Sequence, residues 1–412
     1  MKTILIFIIS LVFTGNSYSQ WNWVQHIGGL GFVPNEYPRS LSTDSTNYYL
    51  IGEYGGNLYL SSDTLPQNGA NQIFILKYSG SGNLIWSQSL GGNYNQLLRF
   101  ERGMGVFDNF SNNLYLAGNV IGSVYFGNWN VGGSINTNDI FLAKMDLNGN
   151  YIWVKKGGGS GDDYASCFTN SNGKIYLISK TSASAQFDSF SLPAGGGLVQ
   201  YDSSGNCLSA KALFNTATTN SNVVSLTFID TEILFHGSFN TPIFQIDTFN
   251  VTNNGAYDGF IARADSNGNV KWLKQFGNSG NDFVVDLAIM NNEVYAIGGF
   301  QDSINLGTIY LNSAGNNILV AKFDTSGNAI WARNISCLGT YCAGNKIIVD
   351  ADGNTYITGN FSGTATFGNF QITTTNTYDM FLARYDSAGN CLGVKISDKQ
   401  AEVVWLPIAM VM

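Results

Sequence analysis

The chain has 412 residues, a formal net charge of −8, 48 glycines and 48 asparagines, but only six prolines and 12% charged residues. A hydrophobic share of 44% can build a large core, which excludes disorder, and the shortage of Ala, Glu, Lys and Arg excludes a coiled coil or helical solenoid. The acidic balance disfavours nucleic acid as a partner, because neutralising phosphates needs clustered cations, so what remains is an all-β, turn-rich protein.

Residues 1–19 read as a secretory signal peptide. Lys2 supplies the positive start, and Ile4 to Phe13 is an apolar run about half the ~20 residues that a membrane span needs. Ser17 and Ser19 place small residues before a cleavage ahead of Gln20. The first cysteine is Cys167, so no lipid-anchored N-terminal Cys is expected. The expected location is secreted, extracellular or at the cell surface, with no transmembrane segment in the mature chain. Residues 398–412 form a C-terminal tail whose apolar end (Val403 to Met412) is too short to span a bilayer.

One motif recurs six times between these ends: Phe-aliphatic-Ala-Lys/Arg-aromatic-Asp-x-x-Gly-Asn-x-x-Trp. Phe141 to Trp153 and Phe260 to Trp272 are full copies, and the marker glycines are Gly82, Gly149, Gly205, Gly268, Gly327 and Gly389. Apolar runs flanking an Asp-x-x-Gly-Asn turn describe a β-hairpin, with Gly taking the positive-φ position. A second hairpin precedes each copy, for example Ile347 to Gly359. Two hairpins make a four-stranded unit too thin to bury its own faces, so neighbouring units must cover them. The expectation is a six-bladed β-propeller of four-stranded blades, with seven blades as the alternative and an open solenoid third. The propeller would fill 20–397, with blades near 40–90, 104–157, 165–213, 223–276, 284–335 and 345–397. The stretch Trp21 to Gly29 repeats the fourth-strand pattern of Ile85 to Gly92 and is expected to join the last blade and close the ring.

These repeats resemble the bacterial β-propeller repeat family known as SBBP repeats. The resemblance rests on Gly353-Asn354-Thr-Tyr356-Ile-Thr-Gly359, on the Phe-Leu-Ala-Lys hairpin, and on the Phe126-Gly127 and Phe367-Gly368 pairs between hairpins. It covers nearly all of the mature chain. It implies a propeller that is secreted or surface-attached, mostly without known activity. Many such proteins end in a type IX sorting domain; no match to one is read after the sixth repeat, so the expectation is either no surface anchoring by that route or a truncated chain.

No catalytic motif stands out, and the chain is expected not to be an enzyme. The two histidines, His26 and His236, lie apart in the repeat and read as structural or exposed. The glycine-rich stretch Gly157 to Asp163 precedes no helix and is a poor phosphate cradle. Asp146-Leu-Asn148-Gly-Asn150 and Asp350-Ala-Asp352-Gly-Asn354 lack calcium-loop spacing and read as turn chemistry. No metal site and no cofactor are expected. Cys337 and Cys342 are candidates for a local disulfide, whereas Cys167, Cys207 and Cys391 read as core. Lys77, Lys144, Arg263, Lys322 and Arg384 recur at one position, with Gln200 in the sixth copy. A structural role, with stems lying on neighbours, is favoured there over an anion-binding ring.

The candidate binding face is the set of loops between blades: Tyr94, Glu101, Arg102, Asp162, Asp163, Tyr164, Asp282 and Tyr341. Aromatic faces beside carboxylates and amides suit sugars. The functional expectation is a non-catalytic binding or scaffold module for a glycan or an extracellular protein. The alternatives are a polysaccharide hydrolase or lyase acting through Asp162 or Asp163, and a purely structural adhesion or matrix component.

Overall fold

The computed structural model describes residues 5–6, 25–26, 37–67, 72–90, 105–108, 111–133, 136–214 and 222–396. All regular elements there are β-strands, and no helix among them is long and apolar enough to cross a membrane. The architecture is an all-β propeller. The chain divides into two compact units, residues 1–217 and 218–412.

The first unit contains three antiparallel four-strand meanders. They are Tyr37–Thr43, Asn47–Tyr54, Gln72–Ser79 and Leu84–Leu90; then Gly105–Asp108, Asn113–Ile121, Asn138–Met145 and Tyr151–Gly159; then Asp163–Ser171, Lys174–Thr181, Gly197–Asp202 and Cys207–Ala212. The second unit contains the fourth, Asn222–Ile229, Glu232–Phe239, Asp258–Asp265 and Val270–Phe276. The fifth is Phe283–Met290, Glu293–Asn305, Tyr310–Phe323 and Ala329–Cys337, and the sixth is Cys342–Val349, Thr355–Phe361, Asp379–Tyr385 and Cys391–Ile396. Asp379–Tyr385 of the sixth meander alternates buried with more exposed residues, whereas in the first four the two middle strands are buried along most of their length, as in Asn138–Met145 and Asp258–Asp265. Burial on both faces explains their unbroken apolar runs. Tyr49, Leu116, Phe141, Ile175 and Tyr201 belong to one continuous core within the first unit. Tyr295, Ile318, Trp331, Ile357 and Phe381 do the same between the fifth and sixth meanders.

These meanders are not six equal blades, and the expected count of six, with seven as the alternative, is corrected to five. Five have four strands of six residues or more, and each of the five carries a β-bulge in its first strand. The bulges fall at Pro38/Ser40, Ala165/Cys167, Val223/Ser225, Val284/Asp286 and Gly344/Lys346. Among the described residues the second meander lacks both features: its first strand is only Gly105–Asp108 and pairs without a register shift. Its sheet is extended at the outer edge, where Gly158 pairs with Gln186 of the strand Ala185–Phe187, as the fifth meander is extended where Ile335 pairs with Phe367. The sequence repeat marks the second hairpin of each unit strongly and the first weakly, so counting marker glycines overcounts complete blades.

Of the stretch Trp21 to Gly29, expected to close the ring, only Gln25–His26 lies among the described residues, where it pairs with Leu5–Ile6; the rest of that stretch lies outside them.

Successive meanders within a unit are joined by one repeated contact. Trp86 Nε1 and Lys77 Nζ both donate to Leu147 O, at 3.1 and 2.9 Å. Trp272 Nε1 and an Arg263 guanidinium nitrogen do the same to Thr325 O, at 3.1 and 2.8 Å. Lys77 lies 5.3 Å from the Tyr49 ring, Lys322 5.1 Å from Tyr295, and Arg384 5.6 Å from Tyr356. The charged head of the recurrent cation therefore serves the frame: it meets a neighbouring turn carbonyl at Lys77 and Arg263, lies over an aromatic ring at Lys77, Lys322 and Arg384, and pairs with Glu232 at Arg263 and with Glu293 at Lys322. The turn that offers the carbonyl is held by its own Asp. Asp146 Oδ1 accepts the amides of Asn148 and Asn150, and Oδ2 accepts the Asn150 side chain. The same three bonds recur at Asp202, Asp265, Asp324, Asp350 and Asp386.

Candidate functional site

Tyr94, Glu101 and Arg102 lie outside the described residues. Asp162, Asp163 and Tyr164 meet in the first unit, beside two residues the sequence reading missed, Asn138 and Asp139. Asn138 donates to Asp162 Oδ1 from its backbone and from its side chain, both at 2.9 Å, and its amide also reaches Tyr164 OH at 3.1 Å. Lys156 pairs with Asp139 at 3.1 Å. Asp163 is fully buried and accepts Gly159 N–H at 2.7 Å, clamping the loop four residues back. Burial, followed by the neighbouring Asp139 and Asp162 charges, pushes its carboxyl up to about 7 against the one stabilising backbone bond. Asp282 of the second unit is likewise fully buried and accepts the amides of Asn278 and Gln301. Both aspartates therefore point into protein, and neither presents its carboxylate to a ligand at the surface. His236 is buried with Nδ1 3.2 Å from Val284 O.

Tyr341 is placed differently. It lies in the link between the fifth and sixth meanders, is 48% exposed, and faces Tyr378, which is 57% exposed. The ring centroids are 6.2 Å apart and the planes tilted by 46°. Tyr378 comes from the loop before Asp379–Tyr385, and only the fold brings it beside Tyr341. Leu338, 83% exposed, stands on the same link.

The link is held firmly for an exposed loop. Cys337 and Cys342 form a disulfide across it. Leu338 N–H donates to Thr364 O, Tyr341 N–H to Ser362 Oγ, and Ser362 N–H to Tyr341 O, each at 2.8 Å. Gly339 allows this approach, since a Cβ there would sit 1.9 Å from Ser362 O. On the Tyr378 side, Thr374 Oγ1 bonds Asp379, and the Asn376 amide reaches the same carboxylate at 3.1 and 3.2 Å. Two exposed aromatic faces held at a fixed angle beside hydroxyl and amide groups can take an apolar ring face while polar groups read its edge.

The other cysteines are placed apart from this face. Cys167 and Cys207 are buried and Cys391 is half-buried. Burial pushes the Cys207 thiol up to about 11, so it carries no thiolate reactivity at neutral pH.

No protein-family model matches the chain, and no curated protein matches it in sequence. Several solved structures resemble it. The quinohemoprotein alcohol dehydrogenase ADHIIG from Pseudomonas putida HK5 has a TM-score of 0.36 at 11% identity, over 81% of this chain and 56% of that one. The acylaminoacyl peptidase of Pyrococcus horikoshii has a TM-score of 0.38 at 11% identity, over 84% and 51%. The α-L-arabinofuranosidase Arb93A from Fusarium graminearum has a TM-score of 0.32 at 10% identity, over 88% and 92%. The chain thus spans little more than half the length of the first two.

Proposed function

We propose that the chain is a secreted or cell-surface binding module without catalytic activity. It takes a glycan or an extracellular protein at the Tyr341–Tyr378 face. One observation carries this reading: two tyrosines stay exposed where burial would be favourable, while a disulfide and paired backbone bonds hold them in place. Preorganised aromatic surface of this kind lowers the ordering cost of binding. The disulfide also supports a location outside the reducing cytoplasm. Between the two ligand classes, a glycan is favoured, because tilted tyrosines flanked by Asn376 and by Thr340, whose hydroxyl lies 3.4 Å from Ser362 Oγ, suit a pyranose ring and its hydroxyls. The hydrolase or lyase reading has less support, since Asp163 is buried and Asp162 Oδ1 already accepts two bonds from Asn138.

The test is a glycan and polysaccharide array probed with residues 20–412, with product detection on each hit. Binding without products, lost in Tyr341→Ala and in Tyr378→Ala, is the expected result. Binding that survives both substitutions would remove this face from consideration, and product formation would overturn the non-enzyme reading.

A further inference from the structure

The second unit buries two carboxylates that have no counter-charge. Asp258 opens the third strand of the fourth meander, and Asp282 directly precedes the fifth. Both are fully buried. They converge on Gly277, where a Cβ would stand 2.2 Å from Asp258 Oδ1 and 3.0 Å from Asp282 Oδ2. Neither forms an ion pair among the described residues, and Asp258 Oδ1 has no hydrogen-bond partner. Asp258 Oδ2 accepts the Asn254 amide at 2.8 Å and Gln275 Nε2 at 2.6 Å. Asp282 accepts Asn278 N–H at 3.0 Å and Gln301 N–H at 3.1 Å. The donors are all neutral.

The first unit builds the same junction with a cation. Asp139, Lys156, Gly158 and Asp163 follow one another at the same offsets as Asp258, Gln275, Gly277 and Asp282. Lys156 pairs with Phe141 across the sheet, as Gln275 pairs with Phe260. A Cβ at Gly158 would meet Asp139 Oδ1 at 2.2 Å and Asp163 Oδ2 at 3.1 Å, so the glycine sits between the acids in both units. There Lys156 neutralises Asp139 at 3.1 Å. At Gln275 the amide keeps the hydrogen bond and loses the charge. Two buried carboxylates facing one another cannot both ionise cheaply without that charge.

We propose that the Asp258–Asp282 pair binds one proton in place of the missing lysine, making the junction of the fourth and fifth meanders an acid-stabilised clamp. The ionisable groups around the pair do not supply the charge. Asp302, on Glu293–Asn305, is exposed, acidic and bonded by Ser279 Oγ at 2.9 Å. Tyr257 adjoins Asp258 and its ring lies tilted 5.9 Å from that of Phe283, while His236, on Glu232–Phe239, turns Nδ1 to Val284 O. Lys274, beside Gln275 on Val270–Phe276, points to Asn328 at 3.4 Å. Burial pushes the Asp282 carboxyl up to about 6, with the Asp258 charge adding to it, and raises Asp258 as well. A folded-state value above the unfolded one means stability is complete below about pH 4 and falls as the pH rises through about 6.

The experiment compares wild type with Gln275→Lys, which transplants the counter-charge of the first unit. Denaturation midpoints of the secreted chain are followed from pH 5 to 8, with EDTA and with added calcium. Because Asp163 titrates in the same window, the readout is the difference between the two proteins. Gln275→Lys is expected to gain up to about a hundredfold in folding constant at pH 8 relative to pH 5. Asp258→Asn, which makes one partner permanently neutral, should flatten the same slope. Parallel pH profiles for wild type and Gln275→Lys would overturn the proposal. A midpoint at pH 8 that EDTA lowers in wild type but not in Gln275→Lys would also overturn it, because a metal ion would then hold the pair.

Discussion

Lys144 and Trp153, on neighbouring strands of the second meander, donate to the same acceptor, the carbonyl of Ser203 in the third, at 3.1 and 3.2 Å. The contact is shared, so each donor partly covers for the other. Lys144→Met, which keeps an unbranched apolar side chain but removes the ammonium from Ser203 O and from the Tyr115 ring, should cost about 1 kcal/mol. Trp153→Phe should cost somewhat more. The double variant should lose more than the sum, because Ser203 O is then stripped of both donors. Urea unfolding of the four proteins measures the coupling, and strict additivity would mean the two donors act independently.

The marker glycines do more than turn the chain. Gly205 has φ 84°, and a Cβ on it would stand 2.8 Å from the Trp153 ring. Gly205→Ala should therefore cost about 2–3 kcal/mol, from strained backbone and from displacing the tryptophan. Gly56, with open space around its Cβ direction, serves as the control. Thermal unfolding should separate the two by several degrees.

The disulfide across the Tyr341 link closes a very short loop, so its entropic stabilisation should be about 2 kcal/mol. Its larger effect should be on binding. Cys337→Ser with Cys342→Ser is expected to weaken any ligand of the tyrosine face at least tenfold while lowering the midpoint modestly. Tyr341→Ala and Tyr378→Ala should leave stability within about 0.5 kcal/mol, as exposed substitutions do, and abolish binding. Calorimetry and binding on the same samples distinguish these outcomes.

Two sets of carboxylates should give opposite pH limbs. The turn hydrogen bonds from Asn and backbone amides outweigh desolvation at Asp146, Asp202, Asp324 and Asp386 and hold them below the usual carboxylate range. Their stabilisation is present above about pH 4 and is lost as acid protonates them. Asp163, raised to about 7, works the other way: its share is complete in acid and lost as the pH passes 7. Lys156→Gln should deepen that alkaline loss by removing the cation beside Asp139. Midpoints measured from pH 3 to 9 test both limbs, and a flat alkaline limb in Lys156→Gln would contradict the assignment.

Local chemistry was legible in the residues themselves. The Asp-x-x-Gly-Asn turn announces its hairpin because each bond it needs lies within four residues, as at Asp324 and Asn328. The structural reading of Lys77 and Lys144 follows from the same repetition, since a residue recurring with the turn belongs to the frame. The number of complete blades was not legible, because the first hairpin carries the Asp-x-x-Gly-Asn turn only in the sixth meander, at Asp350, and the bulges at Ala165/Cys167 and Val284/Asp286 leave no mark in composition.

The site divides along the same line. Tyr341 and its flanking cysteines stood out by residue type and spacing, both local properties. Tyr378 did not, because its place beside Tyr341 depends on sheet pairing between Thr355–Phe361 and Asp379–Tyr385. Burial decided the rest. Asp162 and Asp163 are neighbours of the same type, yet Asp163 is enclosed while Asp162 is only partly so. By itself the sequence determined the turns, the strand chemistry and the repeat, which depend on contacts a few residues apart. The tertiary structure alone decided which acids lost their water and which aromatics kept it, because solvent exposure is set by segments far away in the chain.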